Sequence, residues 1–316
     1  MARSGAGRYW AIWLPVGAVA AWALVRVLGV EGGHSLSAAL AFTPYVALAS
    51  VFVVGVAVAF ANWPAALVAL TASVCLVAAV LPRALGGAHA AAPGEPVLRV
   101  LSTNIHRGKA DPESVVALVD RLHPQLLSVQ ELTPEFAEAL RREGLSRRLP
   151  HAVLSVREQA SGAGLYSSLP LRKISGADKP SFRFRMPRAL LRLGDGDPIR
   201  VICVHPVPPT VDAAQWRHGL ESLPSAGAGA PWLLAGDFNA TLDHAELRSV
   251  LDRGYTDAGD STGMGLEPTW PAGRTVPPVI TIDHVLVDSR LEVLDYQLED
   301  VADTDHRAIF TEVGIP

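Results

Sequence analysis

The chain has 316 residues, 49% of them hydrophobic, and a formal charge of −4, which leaves room for one large or two small domains. Of its 27 basic residues only Arg3, Arg8, Arg26 and Arg83 precede Pro96, and of its 31 acidic residues only Glu31 and Glu95. The remainder therefore carries 23 basic against 29 acidic residues, a balance that argues against a domain living by its grip on duplex phosphates.

The hydrophobic excess lies almost wholly before residue 83. Tyr9 to Val30, Ala38 to Phe60 and Pro64 to Leu81 are apolar runs of about 18 to 23 residues, each long enough to cross roughly 30 Å of hydrocarbon. They predict a membrane anchor of three transmembrane helices over residues 1–82. Arg26, the one charge inside them, sits about a turn from its run's end, where its stem can snorkel. No Ala-x-Ala site follows the first run, so it reads as a helix rather than a cleaved leader. Arg3 and Arg8 ahead of the first run, and an acidic centre in the loop that follows it, place the N-terminus in the cytoplasm. Three crossings then put the rest of the chain outside the cytoplasm, in a multi-pass protein of the cell membrane. Residues 83–96, with a Gly-Gly pair, an alanine run and prolines, read as a flexible tether.

From Val97 onward strand-like and helix-like stretches alternate, which predicts an α/β domain over 97–316. Strands are expected at Val97 to Ile105, Gln125 to Gln130, Gly164 to Ser168, Ala189 to Leu193, Ile199 to His205, Trp232 to Ala235, Ile282 to Val287 and Ala308 to Val313. Asp111-Pro112 and Thr133-Pro134 each open a helix with proline after a capping residue, running to about Leu122 and Arg148. Two further helices are expected over Val211 to Leu223 and Asp243 to Arg253. Cys75 and Cys203 fall in an apolar run and a buried strand, so no disulfide is expected between them. Lysine is nearly absent (Lys109, Lys173, Lys179) while Arg, Ala, Gly, Pro and Val abound, the composition of a GC-rich bacterial genome.

The chemistry gathers where strands end. Asn104 closes the first strand, Gln130-Glu131 the second, His205 another and Asp237-Phe238-Asn239 the Trp232 strand, while Asp283-His284 and Asp305-His306 stand at the starts of the last two. Gly236 is expected to let the backbone turn beside Asp237. Oxygen ligands without a Cys or His cluster favour Mg²⁺ or Mn²⁺ over zinc. His284, neighbouring Asp283, should point to the opposite face and serve structure. Phe182-Arg183-Phe184-Arg185 and Thr269-Trp270-Pro271 read equally well as substrate loops and as plain packing elements.

In this order, Leu-Ser-Thr-Asn-Ile (101–105), Gln-Glu-Leu (130–132), Gly-Leu-Tyr-Ser-Ser-Leu-Pro (164–170), Val-His-Pro (204–206), Gly-Asp-Phe-Asn-Ala (236–240), Ile-Asp-His-Val (282–285) and Thr-Asp-His-Arg-Ala (304–308) resemble the endonuclease/exonuclease/phosphatase superfamily, which includes DNase I. The resemblance spans about Val97 to Val313 and implies a four-layer α/β sandwich, two packed mixed sheets flanked by helices. It implies Glu131 as metal ligand with Asn104 and Asp305 nearby, Asp237 on the attacking water, and Asn239 on the phosphoryl group. His306, oriented by Asp283, would be general base or transition-state donor, and His205 a second catalytic histidine. Thr304 stands where serine is common, and Arg307-Ala308 where a proline is often found; Arg307 is expected to face solvent. The anchor ahead of an outward-facing domain further resembles the membrane-bound VanJ type associated with glycopeptide-antibiotic resistance. Together these readings predict a metal-dependent phosphoric ester hydrolase acting on a lipid-linked phosphate or pyrophosphate at the bilayer. The alternatives are an extracytoplasmic nuclease or nucleotide phosphodiesterase, and an inactive membrane scaffold, against which no expected catalytic position has become apolar.

Overall fold

The computed structural model describes residues 10–87, 95–174, 183–194, 196–273 and 277–315. Four helices come first: α1 (Trp13–Leu28), α2 (Gly33–Leu40), α3 (Thr43–Ala59) and α4 (Trp63–Val80), the last running into a 3-10 turn, Leu81–Ala84. Among the described residues one helix, Trp63–Ala84, is long and apolar enough to cross a membrane, with a mean hydropathy of 2.3.

The expectation of three full-length membrane helices is corrected in two places. The first run ends after the 16 residues of α1 at Gly29, which takes a left-handed φ of 66° and meets α2 at a bend of 98°. Glycine has no Cβ to penalise that conformation, so the chain turns where an ordinary residue would have continued the helix. The second run divides between α2 and the 17-residue α3, which starts afresh with Pro44 in its first turn. Alanines on α4 bring it close to its neighbours: Ala57 of α3 and Ala65, Ala66 and Ala69 of α4 are buried with Val16 of α1. The outward faces are apolar. Among the described residues every exposed large hydrophobic side chain except Leu154, Val211 and Leu266 lies between Trp10 and Leu85.

The residues after Pro96 form two six-stranded sheets. β1 (Val97–Asn104), β2 (Leu126–Gln130), β3 (His151–Ser155) and β4 (Ala163–Ser167) join β11 (Glu292–Glu299) and β12 (Ala308–Gly314) in the order β11-β12-β1-β2-β4-β3. β5 (Leu171–Lys173), β6 (Arg188–Leu191), β7 (Ile199–Val204), β8 (Trp232–Asp237), β9 (Tyr255–Asp257) and β10 (Asp283–Asp288) make the other, in the order β5-β6-β7-β8-β10-β9. Each sheet has a parallel pair at its centre, β1 with β2 and β7 with β8. All eight expected strands form; β3, β5, β9 and β11 are additional.

Alternation along the strands decides which side chains meet. Leu98, Val100, Val201, Leu233, Ala235, Val285 and Val287 face inward and fill the space between the sheets. The outer face of one sheet is covered by α5 (Pro112–Leu122), α6 (Pro134–Arg142) and α7 (Leu145–Arg148), and that of the other by α8 (Pro209–Glu221) and α9 (Ala245–Leu251). One short helix, α10 (Ala258–Ser261), follows β9. Asp111 and Thr133 accept backbone N–H bonds as caps of α5 and α6. The helix expected to reach Arg148 breaks at Gly144, which has a φ of 81°.

The helical segment docks onto the sandwich through buried polar contacts. Asp243 accepts from Arg83 at 2.7 and 2.8 Å and from Arg26 at 2.9 Å, with no exposure of its own side chain. Glu31 accepts the N–H of Ala245 at the start of α9, His34 bonds the carbonyl of Pro209 at 2.7 Å, and His244 bonds the carbonyl of Ser37 at 2.7 Å. Residues 83–87, expected as the start of a flexible tether, lie against the sandwich instead: Arg83 is buried, and Gly86 touches Ser261 and Gly263. The next part of the expected tether, 88–94, lies outside the described residues.

Candidate active site

Between the sheets the inward positions change character toward one end. On β1 the series Leu98, Val100, Ser102, Asn104 runs from apolar to polar, and Leu126, Ser128, Gln130 on β2 does the same. From the other sheet come Val201, Cys203, His205; Leu233, Ala235, Asp237; and, running the opposite way, Val287, Val285, Asp283. Strand periodicity thus delivers Asn104, His205, Asp237 and Asp283 to one end of the same interior. Ser128 and Gln130 form a hydrogen-bonded floor beneath them, Ser128 Oγ donating to the carbonyl of Ala235 at 2.9 Å and Gln130 Nε2 donating to Ser128 Oγ at 2.9 Å.

Asp237 lies at the centre. Asn104 Nδ2 donates to its Oδ2 at 3.0 Å, and the N–H of Asn239 donates to its Oδ1 at 2.8 Å. His205 Nε2 lies 3.7 Å and His306 Nε2 3.8 Å from Oδ2. Asn239, with a left-handed φ of 49°, turns its amide to donate to the carbonyl of Pro206 at 3.2 Å. Gly236 sits inside β8, and a Cβ there would strike the carbonyl of Val204 on β7. The glycine expected to make a turn instead permits close approach of two strands.

Glu131 follows β2 with a φ of 61°, an unusual backbone for a residue with a side chain. Its Oε1 accepts from Asn104 at 3.4 Å and lies 3.8 Å from His205. Its Oε2 is buried without a hydrogen-bond partner. Burying a carboxylate oxygen unpaired is costly, and a cation relieves that cost. Asp237, Asp283 and His306 also offer atoms within 4.8 Å of one another. His306 already uses Nδ1 on Asp283, at 2.9 and 3.1 Å, so this trio reads better as a proton-handling pair beside Asp237 than as a metal cage. Beside His205, Glu131 and the Asn104 amide offer oxygen ligands, the chemistry of a hard divalent cation such as Mg²⁺ or Mn²⁺.

Burial and charge separate the two histidines. Burial opposes charge on His306, but Asp283, then Asp237 and Asp305, more than offset it and raise its pKa to about 10. Burial lowers His205 to about 4, the nearby carboxylates only partly opposing it. Asp237 is pushed up to about 7 by burial and by the charge of Asp283. The carboxylates thus favour the charged form of His306, while burial favours the neutral forms of His205 and Asp237.

Asp305 lines the same cavity. Its Oδ1 lies 2.9 Å from His106 Nδ1 and 3.9 Å from His306 Nε2, and Trp270 Nε1 donates to its Oδ2 at 3.4 Å. His106 and Arg107, which line the cavity, are absent from the sequence-based candidates. Their signal was the neighbouring glycine: His106, Arg107 and Gly108 all take positive φ, a tight loop that swings His106 back over the strand end. Trp270 lines the cavity, and the Phe184 ring packs on His205 at 4.9 Å; Phe182 lies outside the described residues. His284 points outward as expected, bonded to Asp257 at 2.8 Å and to the carbonyl of Ala240 at 2.8 Å. Arg307 pairs with Asp300 at 3.2 Å, away from the cavity lining.

The cavity has a volume of about 400 Å³. Its charged and polar lining includes Glu131, His205, Asp237, Asn239, Asp305 and His306, and Ser37, Ala38, Ala41 and Phe42 from the end of α2 and the loop into α3 complete it on the helical side.

The model of the endonuclease/exonuclease/phosphatase family matches residues 101–306. No curated protein matches the chain. Among solved structures the chain is similar to an endonuclease/exonuclease/phosphatase from Beutenbergia cavernae DSM 12333, at 17% identity and a TM-score of 0.51, covering 69% of this chain and 72% of that one. It is also similar to D. rerio TDP2 complexed with single strand DNA product, at 16% identity, a TM-score of 0.54, and coverage of 70% and 100%. A functionally unknown conserved protein from Enterococcus faecalis V583 matches at 18% identity and a TM-score of 0.53, covering 68% and 99%. At such identities these likenesses speak for the fold.

Proposed function

The chain belongs to the endonuclease/exonuclease/phosphatase family, and from that premise we propose a membrane-held, divalent-metal-dependent phosphoester hydrolase that acts outside the cytoplasm on a lipid-linked phosphate or pyrophosphate of the cell envelope. Family membership supports hydrolysis of phosphoesters; the substrate and the setting are this reading's own. The observation that carries it is the composite cavity, in which catalytic groups face Ala38, Ala41 and Phe42 of an otherwise lipid-like helical segment. A substrate that reaches such a site has a phosphate for one wall and hydrocarbon for the other. The net acidity of residues 96–316 offers no reward for a polyanion.

Glu131, with Asn104 and Asp305 near it, would hold the metal ion, which when bound neutralises charge on the phosphoryl oxygens. Asp237 accepts a proton from the attacking water, its pKa near neutrality suiting that task. Asn239 orients the phosphoryl group. Charged His306, held by Asp283, donates a hydrogen bond where negative charge develops, and neutral His205 supplies a second contact. Altered handling of glycopeptide antibiotics would follow from a changed supply of lipid-linked precursor.

A side-by-side assay tests the reading. Full-length protein in lipid vesicles with Mg²⁺ is offered a polyprenyl pyrophosphate, a phospholipid, and single- and double-stranded DNA. Turnover of a lipid phosphate is expected; rapid DNA cleavage with inert lipids would replace the lipid reading with a nuclease, and no turnover of any ester would leave a scaffold.

A further inference from the structure

Beside the catalytic cavity lies a second one, of about 220 Å³, and the two share Ala41 and Ile280. It is walled on one side by Pro44, Tyr45 and Leu48 of α3 and on the other by Leu242, Leu266 and Val279 of the sandwich. Its one charged wall group, Arg83, is occupied by Asp243 through two nitrogens. Tyr45 and Leu48 are about half and two-thirds exposed, so this cavity ends on the outward apolar face of α3. Tyr45 also donates to the carbonyl of Val279 at 2.8 Å, pinning α3 to the sandwich at the cavity's edge.

We infer that the second cavity is a binding subsite for the substrate's hydrocarbon chain, which passes from the phosphate site between Ala41 and Ile280 and leaves along Leu48 on the lipid-facing side of α3. This inference rests on the phosphohydrolase reading for the head group and adds where the tail goes. Two features select that occupant. The second cavity adjoins the cavity of the reacting centre at Ala41 and Ile280 and reaches the apolar exterior at Tyr45 and Leu48, so a molecule spanning both must be polar at its head and apolar behind it. Its wall side chains are mostly apolar, and the arginine among them has its charge matched within the protein, leaving little for a second polar group to bind. The helices therefore do more than hold the enzyme at a surface; they supply half of the chain-binding wall. The sandwich without them has an open phosphate site and no tail site.

The test uses full-length protein in detergent with Mg²⁺ and a series of alkyl 4-nitrophenyl phosphates, methyl to dodecyl, each below its micelle concentration. Each methylene fully buried in an apolar subsite is worth about fourfold in kcat/KM, so the five added from methyl to hexyl set a ceiling of about 10³, and a rise of at least about tenfold is expected with partial burial. Leu266→Trp, which fills the cavity from the sandwich side, should flatten that rise. A second measurement does not depend on turnover: a dodecyl phosphate with a terminal diazirine should label Tyr45, Leu48 or Leu266 on illumination, and unlabelled dodecyl phosphate should compete while inorganic phosphate competes weakly. Hydrolysis of every member at one rate, with label scattered elsewhere, would overturn the tail subsite and leave the hydrolase standing. No hydrolysis with label on α3 would retain the subsite and remove the hydrolase. No label at these positions, with or without hydrolysis, overturns the subsite.

Discussion

Asp243→Ala should undock the helical segment from the sandwich. The carboxylate is fully buried and accepts from Arg83 and Arg26, whose own side chains are only 7% and 13% exposed. Removing it leaves two guanidinium groups facing each other without an anion, and loss of one partner from a buried pair costs about 3 to 5 kcal/mol. Arg26 can turn toward the surface and recover part of that, so the lower end, about 3 kcal/mol, is the working figure, a factor of more than about 100 in the docking equilibrium. Trypsin reads this directly, because Arg83 is buried while docked. Cleavage after Arg83 should accelerate by about that factor when opening is fast relative to cutting, and hydrogen exchange should rise over 239–251, where His244 loses Ser37. Asp243→Asn, which keeps an acceptor, should fall between. Cleavage and exchange unchanged in Asp243→Ala would show that the ion triad does not hold the two parts together.

The same triad sets an acid limit: Arg83 and Arg26 outweigh burial and hold Asp243 below its ordinary 3.8, so its contribution is complete above that value and is lost as pH falls through the lower folded one; trypsin-accessible Arg83 already at pH 6 would contradict this. Asp237→Asn, His306→Ala and Glu131→Ala are each expected to lower hydrolysis by about 10² or more with the fold intact, whereas His284→Ala, outside the cavity, should spare the chemical step; wild-type rates in a folded variant would remove that residue from the site. Gly236→Ala should unfold or badly destabilise the sandwich, since its Cβ meets the Val204 carbonyl, and a melting temperature within a few degrees of wild type would refute the close approach. Chelation should abolish turnover and Mg²⁺ or Mn²⁺ restore it; full activity in chelator would exclude a metal role for Glu131.

Much of the sandwich was legible because its central strands are buried on both faces and stand out as short continuous apolar runs. A period of two fixes the side of the sheet on which each residue lies, so Asn104, His205, Asp237 and Asp283 could be collected as strand-end groups before their partners were known. β3, β5, β9 and β11 were missed because they are short or lie at sheet edges, where half-exposed positions blur the alternation. His106 shows where the strand pattern stops: it reaches the cavity through the left-handed loop His106-Arg107-Gly108, whose one local signal is the glycine.

Hydrophobicity located the helical segment but misjudged its form. A run of apolar residues measures length, whereas the breaks at Gly29 and before Pro44 depend on where the chain must turn to meet the sandwich. The chain by itself determined which segments are strongly apolar and which polar groups end the strands. Only the tertiary structure decided that the two share one cavity, because α2 reaches the catalytic groups through contacts more than a hundred residues apart in sequence, Arg83 with Asp243 and Ser37 with His244. Such pairings are set by the packing of whole elements, and no local period encodes them.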